Sequence, residues 1–148
     1  MITDDELLDS WPGVRVDHDN AEHYRGMLQQ RLLINRCAEC GAWHHPPRSV
    51  CPRCWSNAVR AEEVSGRGTV AMLTFIHQGS SRAGVDFSNG YPAAAVELIE
   101  QAGLRVAGTL VDMTREEMHI GTEVELTWLE VGGRPALGFR PSGASSRP

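Results

Sequence analysis

The chain has 148 residues, 41% of them hydrophobic, and a formal net charge of -5, which fits one ordinary domain with small appendages. No segment approaches the ~20 consecutive apolar residues of a membrane span, and the acidic start MITDDELLDS lacks the basic region of a signal peptide. We therefore expect a soluble, cytoplasmic protein without a membrane partner. All fourteen basic residues are arginine, which excludes a Schiff-base lysine or a P-loop lysine on this chain.

Residues 1–31 form a predicted N-terminal helical segment. The sequence TDDE at residues 3–6 has the spacing of a capping box and predicts a short helix that ends at residues 11–13, WPG. A second helix is predicted to begin after Asp17 or Asp19 and to place Tyr24, Met27 and Leu28 on one face. That face either packs on the chain's own domain or contacts another subunit.

Residues 32–64 are predicted to form a short zinc ribbon. Two Cys-x-x-Cys pairs, Cys37 with Cys40 and Cys51 with Cys54, are separated by ten residues and flanked by predicted strands at 31–36 and 59–64. Four thiolates fill a tetrahedral site and leave no open position, so the predicted metal, Zn2+, is structural. Iron bound by the same sulfurs, two disulfides and a redox dithiol are the alternatives.

Residues 65–141 change to strands separated by turn residues, and they predict a five-stranded OB-fold barrel. The predicted strands are 69–77, 93–99, 104–111, 122–130 and 136–139, with a helical turn at 114–118 between the third and the fourth. Strand 69–77 is apolar on both faces, which predicts burial of both. Residues 142–148 are predicted to be a disordered tail. The fold class is thus mainly β: N-terminal helices, a rubredoxin-like zinc ribbon and an OB-fold barrel.

Residues 26–141 resemble the DUF35 family, in which a rubredoxin-like zinc ribbon precedes an OB-fold. The matching segments are GMLQQRLLINRCAECG, PPRSVCPRC, VSGRGTV, IGTEVELTW and GFRP, in the family's order. One departure is Trp55, which stands where the second knuckle of the family usually has glycine. A tryptophan at this position is expected to bend the exit of the ribbon or to offer an aromatic surface.

The resemblance implies an accessory subunit of a thiolase-like acyl-CoA enzyme, either an acyltransferase or a steroid side-chain aldolase. Such a subunit binds a thiolase-fold partner and helps to shape the acyl-CoA passage. No catalytic residue is predicted, because the six histidines, including the adjacent His44 and His45, have no catalytic spacing and no cysteine is spare. Arg67 and Arg82 are candidate ligands of CoA phosphates. The alternative is that the segments containing them serve only as connectors between strands.

Other classes of function predict different behaviour. A standalone acyl-CoA-binding protein or thioesterase would bind or turn over the thioester by itself. A single-stranded nucleic-acid-binding OB protein needs a concentration of positive charge, which the net charge of -5 disfavours. A rubredoxin-like electron carrier would have no need of the barrel and the helices.

Overall fold

Two short helices and eight strands make up the part of the chain described by this computed structural model, residues 1–80 and 84–143. The order is α1 Asp4–Ser10, α2 Ala21–Leu28, β1 Leu33–Cys37, β2 Trp43–His44, β3 Val59–Glu63, β4 Arg67–Ile76, β5 Tyr91–Leu98, β6 Arg105–Leu110, β7 Glu123–Val131 and β8 Arg134–Pro141. They form two compact units, Met1–Val64 and a second that starts at Ser65. Among the described residues, no helix has the length and apolar character needed to span a bilayer. The predicted fold class is confirmed.

The predicted capping box starts α1. The Thr3 hydroxyl accepts a hydrogen bond from the Glu6 N–H, and the Glu6 carboxylate accepts one from the Thr3 N–H at 2.7 Å. Leu7 is 1% exposed, and Met27 of α2 is also buried, whereas Leu8 is 52% exposed. The helices therefore pack on their own unit and leave part of their apolar surface in solvent.

The first unit contains a three-stranded antiparallel sheet in the order β2-β1-β3. The central strand β1 supplies the buried residues Leu33 and Ile34. Gly26 lets α2 approach this strand, because a Cβ at residue 26 would lie 2.7 Å from Leu33 Cγ. The two-residue strand β2 was not predicted, since two residues are too short to show a periodicity.

The second unit is a closed five-stranded barrel in the order β4-β5-β6-β8-β7, with β6 and β8 parallel and the other pairs antiparallel. The predicted helical turn lies between β6 and β7, where the Glu117 N–H donates to the Thr114 carbonyl at 3.1 Å. This is the strand order and helix position of an OB-fold. The barrel core consists of apolar side chains that are less than 5% exposed: Val70, Ala94, Val96, Leu98, Leu104, Val106, Leu110, Val124 and Phe139.

The prediction that both faces of the first barrel strand are buried is wrong for the second half of β4. Met72 is 58% exposed and Ile76 is 39% exposed. Val70 pairs with Val96, but Met72 pairs with Ala95, so β4 has one extra residue at a bulge. A bulge of one residue reverses the alternation of the side chains that follow it, and this sends Met72 and Ile76 to the outer face.

Candidate metal centre

The first Cys-x-x-Cys turn, or first knuckle, continues directly from β1. Cys37 is the last residue of that strand and is 1% exposed. Its carbonyl accepts a hydrogen bond from the Gly41 N–H at 3.0 Å, and the Cys40 N–H lies 3.5 Å from its Sγ. Gly41 has a φ of 76°, which glycine adopts without steric cost, and it leads the chain into β2.

The second knuckle repeats this arrangement in a loop. The Cys51 carbonyl accepts from the Trp55 N–H at 2.9 Å, and the Arg53 N–H lies 3.4 Å from Cys51 Sγ. Trp55 has a φ of 66°, a left-handed conformation that costs a residue with a Cβ about 1–2 kcal/mol. Its side chain is 82% exposed. Trp55 therefore offers an aromatic surface, as expected. Its left-handed backbone conformation turns the chain after the last cysteine of the knuckle.

The two knuckles bring four thiol groups to one point. All four Sγ atoms lie within 4.8 Å of one another, and Cys37 and Cys54, like Cys40 and Cys51, are 3.6 Å apart. Sulfur ligands at about 2.3 Å from a tetrahedral zinc lie about 3.8 Å apart, so the arrangement fits such an ion. No disulfide joins any of these four cysteines. Within the described residues, this is the single group of three or more His, Cys, Asp or Glu side chains that is close enough to hold a metal.

Backbone donors prepare the two buried sulfurs for a cation. The Cys40 N–H, together with that of Glu39, lowers the pKa of Cys37 to about 6 despite the opposing effect of burial. The N–H groups of Cys54 and Arg53 lower the pKa of Cys51 in the same way. Thiolates are the form that binds metal, so these backbone contacts favour the metal-binding form of both side chains.

A pair of buried polar side chains supports the loop that leads into the second knuckle. Asn35 Nδ2 and His44 Nε2 each lie 3.2 Å from the Arg48 carbonyl oxygen, and both residues are less than 8% exposed. Asn35 and His44 are opposite each other on β1 and β2. This support was missed from the sequence, where the available signal was a single asparagine inside the apolar run LLINRC.

His44 and His45 face different partners. His44 lies under the loop, whereas the His45 ring is 5.1 Å from that of His23, whose Nδ1 is 2.8 Å from the Leu33 carbonyl oxygen. Burial, followed by the neighbouring His23 and His44, lowers the pKa of His45 to about 4. Burial also lowers the pKa of His23. Both rings are therefore neutral packing elements at neutral pH.

The structure describes one of the two predicted CoA ligands, Arg67. Arg67 is exposed at the start of β4, where it pairs in register with Glu125 and shares a surface depression with Glu123. Arg140 donates to Glu125 at 3.1 Å. An anion near Arg67 would thus also face the Glu123 carboxylate. Arg82 lies outside the described residues.

Comparison with protein families gives two adjacent matches. Residues 26–60 match a family described as the rubredoxin-like zinc ribbon domain of ChsH2. Residues 61–129 match the C-terminal OB-fold domain of ChsH2. The first match contains all four cysteines, and the second covers most of the barrel.

Several proteins are similar over most of the chain. A probable enoyl-CoA hydratase alpha subunit from Thermomonospora curvata is 36% identical over 132 residues, which are 88% of this chain but 40% of that longer protein. A DUF35 domain-containing scaffold protein from Methanocaldococcus jannaschii is 30% identical over 110 residues, 73% of this chain and 75% of that protein. Among solved structures, an Ltp2-ChsH2(DUF35) aldolase is 35% identical with a TM-score of 0.75, over 87% of this chain and 98% of that chain.

Proposed function

The chain belongs to the DUF35 family, and from that premise we propose that it is an accessory subunit of a thiolase-like enzyme acting on an acyl-CoA thioester. The observation that carries the proposal is the similarity to the DUF35 chain of a solved aldolase, at 35% identity over 98% of that chain. In this role the protein serves assembly and shapes the acyl-CoA passage. The whole enzyme would be either an acyltransferase or a steroid side-chain aldolase.

The ion that we propose for the cysteine site is Zn2+. The buried Cys37 and Cys51, whose pKa values are lowered by backbone N–H groups, lie beside the exposed Cys40 and Cys54 at a spacing that suits a tetrahedral ion. Four protein sulfurs leave no position for water or substrate, so such an ion links the two knuckles and supplies no Lewis acid to the reaction.

The chemistry itself is assigned to the partner subunit. The chain has no lysine, and its four cysteines are all in the metal site. The buried histidines His23 and His45 have lowered pKa values and contact each other, so neither is a base poised near neutral pH. The nucleophile and the general base would therefore come from the thiolase-fold partner.

Within this proposal, residues 1–31 and the ribbon at 32–64 bind the enzyme, and the barrel at 65–141 lines the substrate entrance. Arg67 and Arg82 are the proposed contacts for CoA phosphates. Arg67→Glu would test the proposed contact with CoA. Arg134→Glu, at the start of β8, is the control. The expected result is a higher KM for the CoA thioester in the first variant alone.

The test of the proposed function is to purify the full chain from its natural source, identify the enzyme that accompanies it, and assay each protein alone and mixed. We expect turnover of a CoA thioester by the mixture and none by this chain. Turnover by the isolated chain, or its tight binding of acyl-CoA in calorimetry, would replace the proposal with a standalone acyl-CoA protein. Absence of any enzyme in the purified complex would refute it.

A further inference from the structure

Trp55 combines a strained backbone with a nearly free side chain. Its φ of 66° lies in a region that favours glycine, and 82% of its surface is exposed. A glycine would adopt the same backbone conformation without strain, so folding alone does not explain a tryptophan at this position. Residues held in unfavourable backbone conformations concentrate at functional sites, so an exposed indole at this position is a candidate binding group.

The neighbours of Trp55 complete a surface with the composition of a protein interface. We define the knuckle surface as five residues of the second knuckle and the loop before it: Arg48, Val50, Pro52, Arg53 and Trp55. Val50 is 38% exposed, and four of the five residues line one shallow groove of about 480 Å³. Tryptophan and arginine are the residues most enriched among interface residues with large binding energies.

The knuckle surface is also held rigid before any partner arrives. Cys51 and Cys54 are tied into the metal site, and the Cys51 N–H donates to the Ser56 carbonyl at 2.8 Å. The Arg48 carbonyl is held by the buried side chains of Asn35 and His44. A preorganised surface loses little conformational entropy on docking, so more of its contact energy is expressed as affinity.

We propose that the knuckle surface is a docking site for the enzyme subunit, with the Trp55 indole inserted into an apolar pocket that has acidic residues on its rim. This inference rests on the proposed function and specifies which surface performs it. The acidic rim follows from charge complementarity, because Arg48 and Arg53 are both exposed on a chain whose net charge is -5. Asp19 lines the same groove, so the acidic residues of the partner's pocket would face Arg48 and Arg53 and not this carboxylate.

The test measures the affinity of the full chain for the enzyme subunit that co-purifies with it, using Trp55→Gly, Arg48→Glu with Arg53→Glu, and Ile120→Ala. Ile120 is 67% exposed in the barrel unit and serves as the matched exposed apolar control. We expect Trp55→Gly to raise Kd by at least about 30-fold. The double arginine variant should slow association, most strongly at low salt, and Ile120→Ala should bind like the wild type.

Chemical denaturation separates docking from folding. Since glycine relieves the strain at φ 66°, Trp55→Gly should keep its metal and unfold at the same or a higher denaturant concentration. Wild-type affinity in Trp55→Gly overturns the docking site but leaves the accessory function standing. Loss of metal or of stability in Trp55→Gly overturns the docking site, because it would show that Trp55 has a structural role. Failure of the wild type to bind any enzyme overturns both proposals. So does quenching of the wild type's tryptophan fluorescence by a dT20 oligonucleotide, if Trp55→Gly shows no such quenching.

Discussion

Gly41 and Trp55 occupy equivalent positions in the two knuckles of the ribbon. Each follows the second cysteine of its pair, and each donates its N–H to the carbonyl of the first, at 3.0 and 2.9 Å. Both have a positive φ, 76° and 66°. The two knuckles therefore have the same backbone turn, but Gly41 adopts it without strain and Trp55 does not. What Trp55 adds is a side chain directed into solvent.

The metal site should determine whether the first unit folds. Protein purified without chelator is expected to contain one zinc per chain by elemental analysis and to lack visible absorption from iron. Cys51→Ser removes a buried ligand and should lose the metal together with the ordered ribbon, as seen by amide NMR. Ser49→Ala, two residues away and exposed, is the control. Metal-free protein with an intact ribbon would contradict the assignment.

Stability should fall as the pH is lowered from about 6.5 to about 4. The pKa of His45 is about 4 in the folded chain and near 6.5 when unfolded. Between these values the unfolded chain binds a proton that the folded chain does not, so acidification favours unfolding, by up to about 3 kcal/mol. Above this window the contribution is fully present, and below it no further loss follows.

Comparison with His45→Gln isolates this effect from metal loss, because thiolate protonation affects both proteins. The measurement is urea unfolding at pH 4.5, 5.5 and 6.5. His45→Gln should show a smaller loss of unfolding free energy than the wild type, whereas His18→Gln, whose side chain is 99% exposed, should follow the wild type. Parallel pH profiles for wild type and His45→Gln would rule out this role.

Gly68 should not tolerate a methyl group. A Cβ at this position would lie 2.2 Å from the Glu97 carbonyl oxygen and 2.7 Å from Val96 Cγ1. Because that oxygen belongs to the paired strand β5, Gly68→Ala should lower the free energy of unfolding by more than about 3 kcal/mol. In Gly103→Ala the new Cβ enters open space, and the strain of a φ of 80° should cost only about 1–2 kcal/mol. Equal losses would show that contact with β5 is not decisive.

Asn35 should control the mobility of the loop before the second knuckle. Asn35→Ala removes one of the two bonds to the Arg48 carbonyl and should cost about 1–3 kcal/mol. Hydrogen exchange should accelerate at the amides of residues 48–50. Asn57→Ala makes the same change at an exposed position and should alter stability by less than about 0.5 kcal/mol. Unchanged exchange in Asn35→Ala would show that Asn35 is not needed for the rigidity of the loop, which would then rest on His44 and the metal site.

Features set by neighbouring residues were predictable from the sequence. The capping box at Thr3 and the spacing of the cysteines each specify a local geometry, and both are found as expected. The bulge in β4 was not predictable, because it is defined by the register with β5. The contact between His23 and His45 was missed for the same reason: it joins residues 22 positions apart through the fold.

Closure of the barrel limits how its backbone can take part in assembly. Each of its five strands has a partner on both sides, so none is a complete sheet edge. The pairing is short in two places, since β4 pairs with β7 only over 67–69 and β6 pairs with β8 only at Thr109 and Leu110. The ribbon sheet differs, because its outer strands β2 and β3 each have one unpaired edge. Among the described strands, those of the ribbon therefore offer the complete edges for the addition of a partner's strand. The pairing of every barrel strand on two sides should also make the barrel less prone to edge-to-edge aggregation than an open sheet of the same strands.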